Sequence, residues 1–160
     1  MKIAIFFGSI SDKGIMKNAT EILKIFNVNY KCYIISAHRI PEILINTIKK
    51  VESEKTDLII AGAGLSAHLP GIISSRTIIP VIGVPIYSKN GLLGGIDSLF
   101  SIIQMPKDVP IAAVGINNSY NAALFSIHIL SMKYPEIKKK LIKFRINIKE
   151  RLLNEIEQDL

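Results

Sequence analysis

Residues Ile3–Asp12 read Ile-Ala-Ile-Phe-Phe-Gly-Ser-Ile-Ser-Asp, five apolar residues that run straight into a glycine, two hydroxyls and a carboxylate. An apolar run this short, closed by a turn signal, is the pattern of a strand covered on both faces. The next residues have helical period. Ile15, Ala19, Ile22, Leu23 and Phe26 fall on one stripe, behind a cap expected at Ser11 or Asp12. Four further runs rich in Ile and Val repeat the strand pattern at Tyr30–Ile35, Asp57–Ala61, Val81–Val84 and Ile111–Gly115. A second helix is expected after Pro41, with its apolar side on Ile43, Ile45, Ile48 and Val51. Strand and helix alternate, so the units are parallel β-α-β, and right-handed crossovers place helices on both faces of one sheet. The expected fold is α/β, a three-layer sandwich around a doubly wound parallel sheet of flavodoxin-like type, with a C-terminal helical extension.

The chain has 160 residues, of which 49% are hydrophobic and 21% charged, enough for one core, and residues 1–160 are read as a single α/β domain. One cysteine, Cys32, makes neither an internal disulfide nor a cysteine metal cage. A reducing, cytoplasmic location is the expectation. The longest apolar run, Ile78–Ile86, is broken by Pro80, Gly83 and Pro85, so no membrane span is expected.

The formal net charge of +7 suggests nucleic acid until its distribution is examined. Eight of the 20 Lys and Arg residues lie between Lys133 and Arg151, and the rest of the chain is nearly balanced. The basic excess is therefore one C-terminal helix, read over residues 134–160, with Leu141, Phe144, Ile148 and Leu152 as its apolar stripe. A solvated basic face is the reading, without nucleic acid. Two other helices, Ile96–Met105 and Asn121–Met132, are apolar almost all round. Such helices need cover on more than one side, and a second subunit supplies it most simply.

Ligands of a doubly wound sheet bind beyond the carboxyl ends of its strands. Three consecutive loops at those ends carry chemistry. Gly8–Asp12 offers the hydroxyls of Ser9 and Ser11 for phosphate oxygens and Asp12 for sugar hydroxyls, although a plain capped turn would use the same residues. Ser36–Pro41 sets Arg39, a permanently charged fork of donors, beside His38, a side chain that can both give and take a proton near neutrality. Ala61–Gly71 brings the backbone of Ala63 and Gly64 close to any bound group and ends with His68, either a helix-start residue or a pocket wall. This third loop also fits Gly-x-Gly-x-x-Ala, the dinucleotide fingerprint. No Asp or Glu occurs from Leu58 to Ile96 to hold a ribose, and the loop follows the third strand rather than the first, so no nicotinamide cofactor is expected. The three histidines lack a zinc-binding spacing, and no Gly-x-Ser-x-Gly elbow is present.

Taken together, GSISD at Gly8–Asp12, SAHRIP at Ser36–Pro41, AGAGLSAHLPG at Ala61–Gly71, PVIGVP at Pro80–Pro85 and DSLFSIIQMPKDVP at Asp97–Pro110, with NAA at Asn121–Ala123, resemble the phosphoribosylaminoimidazole carboxylase catalytic-subunit family. The resemblance is closest to its bacterial and plant form, the N5-carboxyaminoimidazole ribonucleotide mutases. It implies transfer of a carboxylate from the exocyclic nitrogen of an aminoimidazole ribonucleotide to ring carbon 4, in purine biosynthesis. By the same resemblance His38 is the acid and base, and Ser9, Asp12 and Arg39 hold the ribose phosphate. Ser11, Ser36, Ala63, Gly64 and His68 then complete the substrate site. No metal or other cofactor is implied, and the implied assembly is an octamer. Alternatives are a carboxylase that takes CO2 directly and a nucleotide-binding regulatory module without turnover. Leu65-Ser66 departs from the small Gly-Ala pair usual in that family, Ser88–Gly95 is about two residues longer than usual, and Asn117–Tyr120 replaces a small-residue stretch.

Overall fold

In β1 (Lys2–Phe7), Ile3, Ile5 and Phe7 pack into one apolar cluster while Ala4 and Phe6 pack into another, so both faces of the strand are covered. The computed structural model describes residues 1–91 and 93–156. Around β1 it assembles β2 (Asn29–Ile34), β3 (Leu58–Gly64), β4 (Val81–Ile86) and β5 (Ala112–Ala113), all parallel, in the order β2-β1-β3-β4-β5. This is the flavodoxin-like order, with its reversal of direction between β1 and β3.

Helices α1 (Lys13–Ile25), α5 (Ser119–Lys133) and α6 (Pro135–Asn154) cover one face, packing Met16, Ile22, Ile127 and Ile137 against Ile5 and Ile60. Helices α2 (Pro41–Ser53), α3 (His68–Ser74) and α4 (Ile96–Ile103) cover the other, where Leu44, Ile48, Ile73 and Ile102 meet Phe6, Ile59 and Ala61. Alternating residues of each central strand thus feed two separate cores, the consequence of a period of two. Burial of that apolar area at roughly 25 cal/mol per Å2 is the main force that holds the three layers together.

The layers are also pinned at the amino ends of the strands. Asp57 accepts from the Lys2 backbone N–H at 2.9 Å, from Lys133 Nζ at 2.8 Å and from the Tyr134 hydroxyl at 3.0 Å. Burial pushes the Asp57 carboxyl up, but Lys133, the Lys2 amide and Tyr134 outweigh it and hold the group below its ordinary value. Its contribution to stability is therefore present at neutral pH and is lost as pH falls through that lowered value.

Several expectations need correction. The fifth strand pairs only at Ala112 and Ala113 instead of Ile111–Gly115: Val114 N–H still donates to Gly83 O at 3.2 Å, but Pro85 of β4 has no N–H with which to continue the ladder. The buried stripe of α2 is Leu44, Ile48 and Val51; Ile43 is exposed and Ile45 half-buried. The third strand begins at Leu58, which leaves Asp57 free to act as the pin. The C-terminal helix spans Pro135–Asn154, and residues 157–160 of the expected 134–160 lie outside the described residues. On it Ile137 and Leu141 are buried and Phe144 packs against Phe26 at 5.2 Å between ring centroids, but Leu152 is exposed. As anticipated, α4 and α5 leave large side chains uncovered in a lone chain, among them Phe100, Ile103, Phe125 and Met132. No helix among the described residues is long and apolar enough to cross a membrane.

Candidate functional site

The carboxyl ends of β1, β2, β3 and β4 open onto one cavity of about 300 Å3. After β1, Ser9 is in extended conformation (φ −149°) and acts as the cap of a 3-10 turn, Ile10–Asp12, that leads into α1. Asp12 Oδ2 accepts from the Ser9 backbone N–H at 3.0 Å, and the Ser9 side chain accepts in return from the following turn, a reciprocal capping box. Ser9 thus caps the 3-10 turn, while Asp12 stands at the expected N-cap position of α1 without a capping bond from its side chain to that helix. Ser11 Oγ donates to Ser9 Oγ at 3.0 Å, so both hydroxyls and the carboxylate form one polar cluster on the cavity wall. Burial pushes the Asp12 carboxyl above its ordinary value, opposed by the Ser9 amide and the Ser11 hydroxyl.

The second loop is held from within. Ile35 donates its N–H to Phe7 O at 3.0 Å, Ser36 O accepts from Ile40 N–H at 3.1 Å, and the side chains of Ile35 and Ala37 are sunk in the core. Anchoring of residue 37 leaves its neighbours Ser36, His38 and Arg39 to line the cavity before Pro41 opens α2. Among the described residues Arg39 has no ion-pair partner, so its fork of donors is available to an anionic ligand.

In the third loop Ala63 and Gly64 are the last residues of β3, followed by Leu65 in left-handed backbone (φ +55°) and by His68 at the start of α3. Gly62 is a strand residue too, and a Cβ there would collide with Met16 Sδ. These glycines are needed for close packing of strand against helix and strand against strand. His68 Nδ1 lies 2.8 Å from His38 Nε2, the rings nearly perpendicular at 87°. One proton lies in that contact, so whichever ring donates fixes the tautomer of the other.

All nine candidate residues, Ser9, Ser11, Asp12, Ser36, His38, Arg39, Ala63, Gly64 and His68, thus line the same cavity. Sequence reasoning missed Leu65 and Ser66, treated only as a departure, and the contribution of the fourth loop through Ser88 and Asn90. The signal was available, because the loop after any parallel strand reaches the same rim. The third histidine, His128, lies away from this cavity and lines a groove of about 450 Å3 between α5 and α6 with Leu124, Phe144 and Leu152. Among the described residues no group of His, Cys, Asp and Glu is placed to hold a metal ion.

The chain matches the family model described as AIR carboxylase over residues 2–151. It is 52% identical over 148 residues to the N5-carboxyaminoimidazole ribonucleotide mutase of Pyrococcus abyssi, an overlap covering 92% of this chain and 84% of that protein. With the N5-carboxyaminoimidazole ribonucleotide mutase of Thermotoga maritima it shares 45% identity over 157 residues, 98% of this chain and 91% of the relative. Among solved structures, Treponema denticola PurE superposes with a TM-score of 0.88 at 26% identity, covering 98% of this chain and 99% of that one.

Proposed function

The chain belongs to the AIR carboxylase family, and from that premise we propose that it is an isomerase that converts N5-carboxyaminoimidazole ribonucleotide to 4-carboxy-5-aminoimidazole ribonucleotide in purine biosynthesis. The observation that carries the reading is the convergence of one exposed histidine, one unpaired arginine and the Ser9–Ser11–Asp12 cluster on a single cavity. Its volume of about 300 Å3 suits a mononucleotide and sits at the small end of the range of roughly 300–1,000 Å3 typical of ligand pockets.

In this reading Arg39 takes the phosphate with Ser9 and Ser11, Asp12 accepts from ribose hydroxyls, and Ser36 lines the path between them. His38 begins as imidazolium. Breaking of the N–CO2 bond leaves its electron pair on nitrogen, which takes the proton from His38 and leaves a neutral amine beside free CO2. Ring carbon 4, an enamine carbon, then attacks CO2, and the proton displaced from carbon 4 returns to His38. The cycle closes with no net gain or loss of protons. His68 orients the His38 ring through the 2.8 Å contact, and the backbone at Ala63–Gly64 holds CO2 between the two half-reactions.

We read the uncovered apolar faces of α4 and α5 as contacts between copies in a homo-oligomer, for which an octamer is the specific expectation, in the cytoplasm. The test is conversion of N5-carboxyaminoimidazole ribonucleotide without ATP, following the ring-carboxylated product. Rapid turnover supports the reading. Absence of turnover, or rapid carboxylation of the free aminoimidazole ribonucleotide at low bicarbonate instead, overturns it.

A further inference from the structure

The loop after β4 brings Ser88 to the cavity, and strand order sets it at the opposite end from Arg39. Arg39 follows β2 and Ser88 follows β4, strands that lie three spacings apart in the sheet, about 14 Å. The loop is braced on both sides of the serine. Tyr87 N–H donates to Asn117 Oδ1 at 2.8 Å, Gly91 N–H donates to Ser88 O at 2.9 Å, and the buried Ser98 hydroxyl lies 3.1 Å from Ile86 O and 2.7 Å from Gly95 O. Ser88 Cβ stands 3.6 Å from where a Cβ on Gly64 would be, so its side chain adjoins the end of β3. Its Oγ accepts from Asn90 N–H at 3.3 Å. The hydroxyl hydrogen is then the group left over, and among the described residues nothing accepts it.

The substrate of the mutase reading carries its two anionic groups at opposite ends, a phosphate on the ribose and a carboxylate at the edge of the ring. Arg39 is assigned to the phosphate. Apart from the two histidines, the cavity wall has no second cationic side chain among the described residues, so the carboxylate must be met by neutral donors. That suits a group that has to leave as uncharged CO2, since a full positive charge would stabilise the carboxylate in the ground state and raise the barrier to its loss. At the β3–β4 end of the cavity the side-chain donors are Ser66, Ser88 and Asn90. Ser66 and Asn90 are exposed and compete with water, whereas Ser88 is half-buried and lies beside Gly64, part of the backbone assigned to CO2. Resting on the mutase reading, we infer that Ser88 is the side-chain donor to the substrate carboxylate and the residue by which the site tells the carboxylated ribonucleotide from the free amine. The hydroxyl donates to a carboxylate oxygen while the group is on nitrogen and again once it is on ring carbon 4. It takes no part in either proton transfer.

The experiment titrates full-length protein with two ribonucleotides in the calorimeter, 4-carboxy-5-aminoimidazole ribonucleotide and 5-aminoimidazole ribonucleotide, which differ only in the carboxylate. The readout is the ratio of the two affinities, from which any inactive fraction of a variant cancels. Ser88→Ala should weaken the carboxylated ligand by about ten- to a hundredfold, the loss of one hydrogen bond to a charged group, and leave the free amine unchanged. Ser88→Thr, which keeps the hydroxyl, should keep the ratio of the wild type. Arg39→Ala, the control at the other end, should weaken both ligands alike. A Ser88→Ala protein that loses affinity for both ligands equally has lost only a braced loop, and one that binds the carboxylated ligand as wild type does has lost nothing; either result overturns the role of Ser88 while leaving the mutase reading in place. A wild type that binds neither ribonucleotide overturns both.

Discussion

Replacement of His38 by asparagine separates the proton chemistry from everything else the site does. The imidazole is exposed, and among the described residues its one side-chain hydrogen bond is the 2.8 Å contact with His68. Folding therefore depends little on it. A carboxamide in its place cannot carry the proton to nitrogen or recover it from carbon 4, and general acid–base catalysis by one group is worth about 10^2 to 10^4-fold, or roughly 3–5.5 kcal/mol of barrier. In the proposed reading ligand binding rests on Arg39, Ser9 and Asp12, which line the same cavity and are untouched by the substitution. His38→Asn should thus lose at least about a hundredfold in kcat with little change in ribonucleotide affinity measured by titration calorimetry. His68→Ala is the informative partner. In the proposed cycle His38 regains the proton it gives, so no relay to a second base is required, and loss of His68 removes only an orienting hydrogen bond worth about 0.5–1.5 kcal/mol, at most about a tenfold drop. A His38→Asn enzyme within tenfold of wild type refutes the acid–base assignment, and a His68→Ala enzyme as impaired as His38→Asn refutes the single-histidine cycle.

Arg39→Ala should raise KM by roughly ten- to a hundredfold, the loss of a charge-assisted hydrogen bond of about 1.5–3 kcal/mol, with kcat at saturation little changed; an effect on kcat alone would contradict a phosphate-binding role. Asp12→Asn should weaken substrate binding and yet stabilise the fold at neutral pH, since burial raises the carboxyl above its ordinary value and ionisation then costs stability as pH rises past the unfolded value. The sign can be checked by thermal melts, because the advantage of the variant should disappear as pH falls towards the ordinary value of 3.8. Gly83→Ala should destabilise without touching the site: its Cβ would lie 2.5 Å from Ile102 Cγ2 and 3.1 Å from Ile111 Cγ2, an overpacking cost of about 1–3 kcal/mol read by urea denaturation.

The sheet was legible where strands are buried on both faces, because β1, β3 and β4 then appear as unbroken apolar runs. It was less legible where the answer lies in a neighbour. The length of β5 is limited by Pro85 of β4, which has no N–H to extend the ladder, and nothing in residues 111–115 encodes that. In α2 the run Ile43-Leu44-Ile45 places three apolar side chains about 100° apart, and only the packed sheet decides that the middle one faces inward. The site followed the same division. Loops with distinctive chemistry, Gly8–Asp12 and Ser36–Pro41, could be read directly, whereas Ser88 and Asn90 lack any marked residue type and emerged only from the position of β4.

The His38–His68 contact depends on strand order more than on either loop. β2 and β3 are not neighbours; both pair with β1, in register at Phe7 with Ile34 on one side and with Gly62 on the other. Two strand spacings separate them, about 10 Å, so side chains that leave their ends can meet only by reaching over the loop that follows β1. That loop is Gly8–Asp12. The capping box folds that loop back on itself. The imidazole pair consequently shares one cavity with the hydroxyls and carboxylate assigned to the ribose phosphate. A sheet wound in the order β1-β2-β3, with the same five strand sequences, would place His38 and His68 on adjacent strands and move Ser9 and Asp12 to one side. The reversal of winding at β1 is what makes three ordinary loops into one site.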